Sequence, residues 1–181
     1  AALRISEVWY FVPMAMVSSV MPTFMALGEV SEAVYYARLA KFFKVMVAIA
    51  MVIVLPITLF ARPLVVLLYG PVYAAAGPIL AVHIWGAVFV FLGVAQTPWF
   101  IAMNLTKRAL MRTLCGAVVN IALNVVLIPV YGGLGAAVAS LAGQFASNIV
   151  FNYFDARTRP LFWIIIKSFN VFSGWGSDVR N

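Results

Sequence analysis

The sequence predicts an all-α integral membrane protein, and three observations predict it. Of 181 residues, 65% are hydrophobic and 9% are charged, with a mean hydropathy of +1.06. A water-soluble domain has about 45–50% apolar and about 25% charged residues, which excludes a soluble globule, and the aliphatic and aromatic content excludes a disordered chain. The apolar residues fall in long uncharged runs, at 8–28, 45–61, 63–106 and 113–154. The net charge of +7 sits in short basic clusters between those runs. That is the pattern of membrane flanks rather than of a nucleic-acid-binding face, so no nucleic-acid partner is expected.

The span count follows from length. A hydrocarbon core of roughly 30 Å takes about 20 helical residues. The runs at 8–28 and 45–61 suit one span each, and the other two are each about twice that length. Both long runs carry breakers near the middle: Gly70-Pro71 and Gly77-Pro78 in one, Pro129 and Gly132-Gly133 in the other. Five transmembrane helices are therefore predicted, near 6–27, 42–62, 78–104, 111–130 and 134–155. They make a five-helix lobe over 1–155, followed by a basic cytoplasmic or interfacial tail over 156–181. A β-barrel would need strands alternating apolar and polar residues, and 45–57 shows no alternation.

Orientation follows from the connections. The first, at 28–44, carries Arg38, Lys41 and Lys44, and the third carries Lys107, Arg108 and Arg112. The tail adds Arg157, Arg159, Lys167 and Arg180, whereas the second and fourth connections, around 70–77 and 130–135, have no charge. Basic and neutral connections alternate, so the basic ones and the C-terminus are expected on the cytoplasmic side. In the tail, the apolar stretch 161–166 is too short to span and reads as an interfacial segment with Trp163 and Lys167 at the headgroups. The chain begins at Ala1, almost directly into a span and without a signal peptide. It is expected to be the C-terminal piece of a longer chain.

Polar residues within the spans are the candidate functional groups. In the fourth span Arg112, Gly116, Asn120 and Asn124 recur every four residues, and in the fifth Ser140, Gln144, Asn148 and Asn152 do the same. Beside the latter runs a small-residue stripe of Gly135, Ala139, Gly143 and Ser147, which permits close helix approach. The turn at Tyr131-Gly132-Gly133 makes the two helices antiparallel neighbours. Their amide rows either line a polar cavity or hydrogen-bond one another in a dry contact worth about 0.6 kcal/mol each. Arg4 and Glu7 are spaced for an i,i+3 pair, or can stand at a cavity wall where Arg offers a fork for phosphate oxygens. Arg62 reads first as a snorkelling cation and His83 as a packed hydrogen-bond partner. Pro13, Pro22, Pro56 and Pro98 read as static kinks or as hinges for alternating access. Cys115 lies in an apolar run. No phosphate loop, catalytic carboxylate pair or metal-spaced His/Cys cluster is present in the sequence, so no enzyme activity, cofactor or metal is expected.

Several ordered segments resemble the polysaccharide-biosynthesis flippases. These are Arg62-Pro63 through Gly70-Pro71 to Tyr73, then Ala75-Ala76; and Val119-Asn120-Ile121-Ala122-Leu123-Asn124 through Pro129 and Tyr131-Gly132 to Gly135. The opening Leu3-Arg4-Ile5-Ser6-Glu7, with Pro13 and Pro22 downstream, is also similar. The resemblance is to Wzx-type O-antigen flippases among the MATE-like exporters, and it covers the chain to about Lys167. It implies a twelve-helix transporter of two lobes, of which this chain supplies most of the C-terminal lobe. The N-terminal lobe of the same protein would be its partner. The implied activity is translocation of an undecaprenyl-pyrophosphate-linked oligosaccharide across the bacterial inner membrane. In that setting Arg4 and Glu7, with Asn120, Asn124, Gln144 and Asn148, are the expected substrate-binding residues. The alternative is a MATE-type cation or drug antiporter, which calls for buried carboxylates. Glu29, Glu32 and Asp155 sit at expected cytoplasmic edges, leaving only Glu7. A membrane ligase or polymerase calls for a sizeable outer loop, and both outer connections are short.

Overall fold

The computed structural model describes residues 2–30 and 32–170; Arg180 and the rest of the distal tail lie outside them. Among the described residues every element is helical and no strand occurs. α1 (Ala2–Glu7), a 3₁₀ turn (Val8–Tyr10) and α2 (Phe11–Val30) form one rod. The tightened turn lies just before Pro13, which has no N–H to return to the Trp9 carbonyl. Pro22, by contrast, sits inside α2 without breaking it.

α3 (Glu32–Leu59) is the central helix. Tyr35, Leu39, Phe43, Met46, Ala50 and Val54 recur at three- and four-residue steps and are all buried, the spacing of one helix face. They pack against α5 (Ala76–His83), α6 (Gly86–Ala95) and α7 (Thr97–Ala102), which supply Leu80, Ile84, Phe91, Leu92 and Trp99. Trp99 Nε1 donates to Tyr36 Oη at 3.4 Å, and the Phe24 ring meets Tyr35 edge-on at 5.6 Å. Between α3 and α5, α4 (Ala61–Tyr69) ends at Gly70, whose φ of +90° turns the chain into a 3₁₀ turn (Pro71–Tyr73).

α8 (Thr106–Phe145) continues through a π-helical turn (Ala146–Val150) into α9 (Phe151–Phe154). It is folded back on itself at Gly132, where φ is +54° and ψ −130°. Only glycine adopts that conformation readily. The two arms run antiparallel: Asn120 meets Ser140, and Gly116 meets Gly143 and Ser147. Their open end is fastened by an ion pair between Arg108 and Asp155. Space around Gly132 is free of neighbouring atoms within 4 Å, so Gly132→Ala tests backbone strain alone. We expect it to destabilise the hairpin by about 1–3 kcal/mol, seen as a lowered unfolding midpoint in detergent with helical content retained.

Four helical stretches are long and apolar enough to cross a membrane: Arg4–Ala26, Glu32–Leu59, Ala76–Ala102 and Thr106–Phe154. The last of these contains both arms of the hairpin. One expectation needs correction. Arg38, Lys41 and Lys44 lie on the first turns of α3, not in a loop, because Arg and Lys are good helix formers and the helix outruns the apolar stretch. Between the expected second span and Gly70 the chain forms the short helix α4. In the tail, α10 (Arg159–Ser168) docks on α3, burying Leu161 and Ile165, while Trp163 and Lys167 remain exposed.

Candidate functional site

The hairpin of α8 builds a polar hollow from two matching stripes. Thr113, Gly116, Ala117 and Asn120 on the first arm are spaced i, i+3, i+4, i+7; Ser140, Gly143, Gln144 and Ser147 on the second have the same spacing. Residues so spaced share one helix face. Together they enclose a cavity of about 320 Å³, at the lower end of the roughly 300–1,000 Å³ usual for ligand sites. The stripes meet because the crossing point is made of glycine. A Cβ on Gly116 would stand 2.7 Å from the Gly143 carbonyl oxygen, and one on Gly143 would stand 2.8 Å from that of Gly116.

Asn120 Nδ2 donates to Ser140 Oγ at 3.4 Å across the arms, and Asn124 Nδ2 donates to Asn120 Oδ1 at 3.1 Å. Both amides are half-buried. The polar wall stands out against its surroundings, because the rest of the first arm is apolar and exposed at Leu110, Leu114, Val118, Ile121 and Val125.

A second cavity of about 170 Å³ shares Ser140 and Gln144 with the first. Its other walls are Glu7, Tyr10, His83, Gly86 and Leu141. His83 Nδ1 and Ser6 Oγ share a hydrogen bond of 2.8 Å, which ties α5 to α1. Glu7 is thereby brought to the same cavity as Gln144, although the two are far apart in sequence. Arg4 is exposed and lines neither cavity, and no ion pair joins it to Glu7 among the described residues.

Behind the cavities lies a buried polar chain that the sequence did not reveal. Gln96, wholly buried at the junction of α6 and α7, accepts two hydrogen bonds at Oε1: from Arg112 Nη1 at 2.6 Å and from Asn152 Nδ2 at 2.9 Å. Its own Nε2 donates to the Asn148 carbonyl at 3.2 Å. Arg112 Nη2 reaches the Gly93 carbonyl at 3.4 Å, and the guanidinium lies 5.2 Å over the Phe100 ring. No carboxylate pairs with Arg112 among the described residues. Asn148 is 3% exposed, donates to the Gln144 carbonyl at 2.9 Å and lies against Gly93.

The six sequence-derived candidates therefore separate. Asn120 and Gln144 line the hairpin cavity, Asn124 braces Asn120, and Glu7 faces Gln144 across the second cavity. Asn148 belongs to the buried chain and Arg4 to the exterior. Gln96 gave only a faint signal: a lone amide within an uncharged run, followed by Thr97-Pro98. No group of His, Cys, Asp and Glu suited to a metal ion occurs among the described residues.

Comparison with protein-family models, curated proteins and solved structures found no match.

Proposed function

We propose that this chain is part of a membrane transporter, and specifically of a flippase that moves a polyprenyl-pyrophosphate-linked oligosaccharide across the bacterial inner membrane by alternating access. One observation carries the reading: the paired polar stripes around Asn120 and Gln144 leave a hollow in a hairpin whose remaining surface is apolar. Amides in hydrocarbon must face protein or water, and a row of amides and hydroxyls is the chemistry that takes a sugar's hydroxyls in place of water. The resemblance to O-antigen flippases supplies the substrate class. In this reading the hairpin arms are the fourth and fifth of five crossings, and the basic ends of α3 and α8 lie on the cytoplasmic side with the C-terminus. A headgroup crossing a low-dielectric slab unaided bears a large desolvation cost, which a polar half-channel lowers, while the polyprenyl tail stays in lipid. The opposing half would come from a preceding lobe of the same protein.

The MATE-type antiporter is the second reading, and Glu7 is what favours it. It lines a cavity with His83 and Tyr10, although it is exposed rather than buried. The two readings separate by mutation. In the intact transporter, Asn120→Leu with Gln144→Leu is expected to lower export of the lipid-linked oligosaccharide roughly five- to tenfold, because each amide contact is worth about 0.6 kcal/mol. Glu7→Gln is expected to leave export within about twofold. Undiminished export by the double variant, at normal membrane levels, would remove the cavity from the transport path.

A further inference from the structure

α2 and α3 hold between them a groove that plays no part in the proposed transport path. It is lined by Met16, Val20, Thr23 and Phe24 on α2 and by Arg38, Lys41, Phe42 and Val45 on α3, and has a volume of about 520 Å³. The lining is ordered along the helix axes. α2 and α3 run antiparallel, so Thr23 and Arg38 stand at the end where the two helices adjoin in sequence, Lys41 one helical turn further in, and Met16, Val20 and Val45 deepest. Met16 and Thr23 are about 10 Å apart along the helix axis. Phe24 and Phe42, their ring centroids 5.6 Å apart and their planes tilted at 59°, floor the groove.

The two cations are spaced i,i+3 on one face. Both are exposed, and neither is in an ion pair among the described residues. A groove with two unpaired cations at the mouth and only apolar side chains at depth matches an amphiphile with an anionic head and a hydrocarbon tail. A polar ligand would leave the deep end unfilled, and a plain apolar helix would leave the cations uncompensated.

We propose that this groove binds one anionic phospholipid from the leaflet at the basic ends of the helices. Its phosphate sits between the Arg38 guanidinium, which offers a planar fork, and the Lys41 ammonium. One acyl chain lies along Val20, Met16 and Val45 over the Phe24–Phe42 floor. The proposal is independent of the transported cargo. Basic residues near a headgroup surface each strengthen attraction to anionic lipid, but the groove adds selectivity for a lipid held by its tail as well.

The test is native mass spectrometry of the full chain released from bilayers of equal phosphatidylglycerol and phosphatidylcholine. The wild type is expected to retain one phosphatidylglycerol in preference to phosphatidylcholine. Arg38→Gln with Lys41→Gln should cut that preference on the order of tenfold. Val20→Trp, which fills the deep end and keeps both charges, should also lower retention. Lys107→Gln, which removes one charge at the basic end of α8, outside this groove, should leave it unchanged. Loss of preference in Lys107→Gln would show general charge attraction and overturn the proposal. So would full retention in Val20→Trp, the result expected if a partner helix covers the groove, or complete displacement of the lipid by inorganic phosphate.

Discussion

Gln96→Leu is expected to destabilise the protein by about 2–3 kcal/mol, more than any other single amide replacement in it. A side-chain hydrogen bond between membrane helices is worth about 0.6 kcal/mol, so an ordinary loss would barely register. Gln96 differs in what it leaves behind. Its Oε1 accepts from both Arg112 and Asn152, and Leu has no acceptor to offer either. The guanidinium would retain only the long bond to the Gly93 carbonyl and its contact with Phe100. Hydrogen bonds to charged groups are worth about 1.5–3 kcal/mol, and stranding a buried charge costs more still. Gln96→Glu is the informative partner variant, because it supplies the carboxylate that Arg112 lacks. Its unfolding midpoint in detergent should equal or exceed that of the wild type, while the midpoint of Gln96→Leu falls by several degrees. Equal midpoints for the two variants would mean that Gln96 does not hold Arg112.

Gly116→Val is expected to force the arms of the hairpin apart. A Cβ at this position would lie 2.6 Å from Ser147 Cβ and 2.7 Å from the Gly143 carbonyl oxygen. The second of these is backbone, so no rotamer change relieves the clash. Overpacking typically costs about 1–3 kcal/mol, and Val sits at the upper end because it is branched at the crowded atom. The same displacement disturbs the cavity wall at Asn120 and Ser140, so stability and transport should fall together. Gly116→Ala should show a smaller loss in both. Ala117→Val is the control, being on the exposed side of the same wall, and should leave the unfolding midpoint nearly unchanged.

Helix content and the apolar spans were legible in the sequence because hydropathy and length decide them. The fold-back at Gly132 was legible because two glycines followed a proline. Helix ends were not, because charge marks the edge of the hydrocarbon and not the end of hydrogen bonding: α3 carries Arg38, Lys41 and Lys44 as helical residues. The amide rows were half legible for a geometric reason. Residues four apart on a helix of 3.6 residues per turn precess by about 40° per step, so one row cannot hold to one environment for long. Ser140 and Gln144 face the cavity, whereas Asn148 and Asn152 have turned inward against Gly93 and Gln96. The π-helical turn at Ala146–Val150 changes the phase again at that place. Gln96 was hidden because its partners come from α8 and α9, and no local pattern reports a contact across such separations. The docking of α10 on α3 was missed for the same reason.

The proposed transport path requires that the hairpin cavity hold water. Cys115 is the only cysteine of these 181 residues, so a background with Cys115→Ala, and with any cysteine of the preceding lobe replaced, allows single cysteines to be placed at will. Asn120→Cys, Gln144→Cys, Asn148→Cys and Val118→Cys should then be treated in the intact protein, in membranes, with a charged, membrane-impermeant thiol reagent. Labelling at 120 and 144, with none at the buried position 148 or the apolar outer face at 118, is the predicted result. Positions 120 and 144 as unreactive as 148 would show a dry contact between the arms, and would contradict the transport path proposed here.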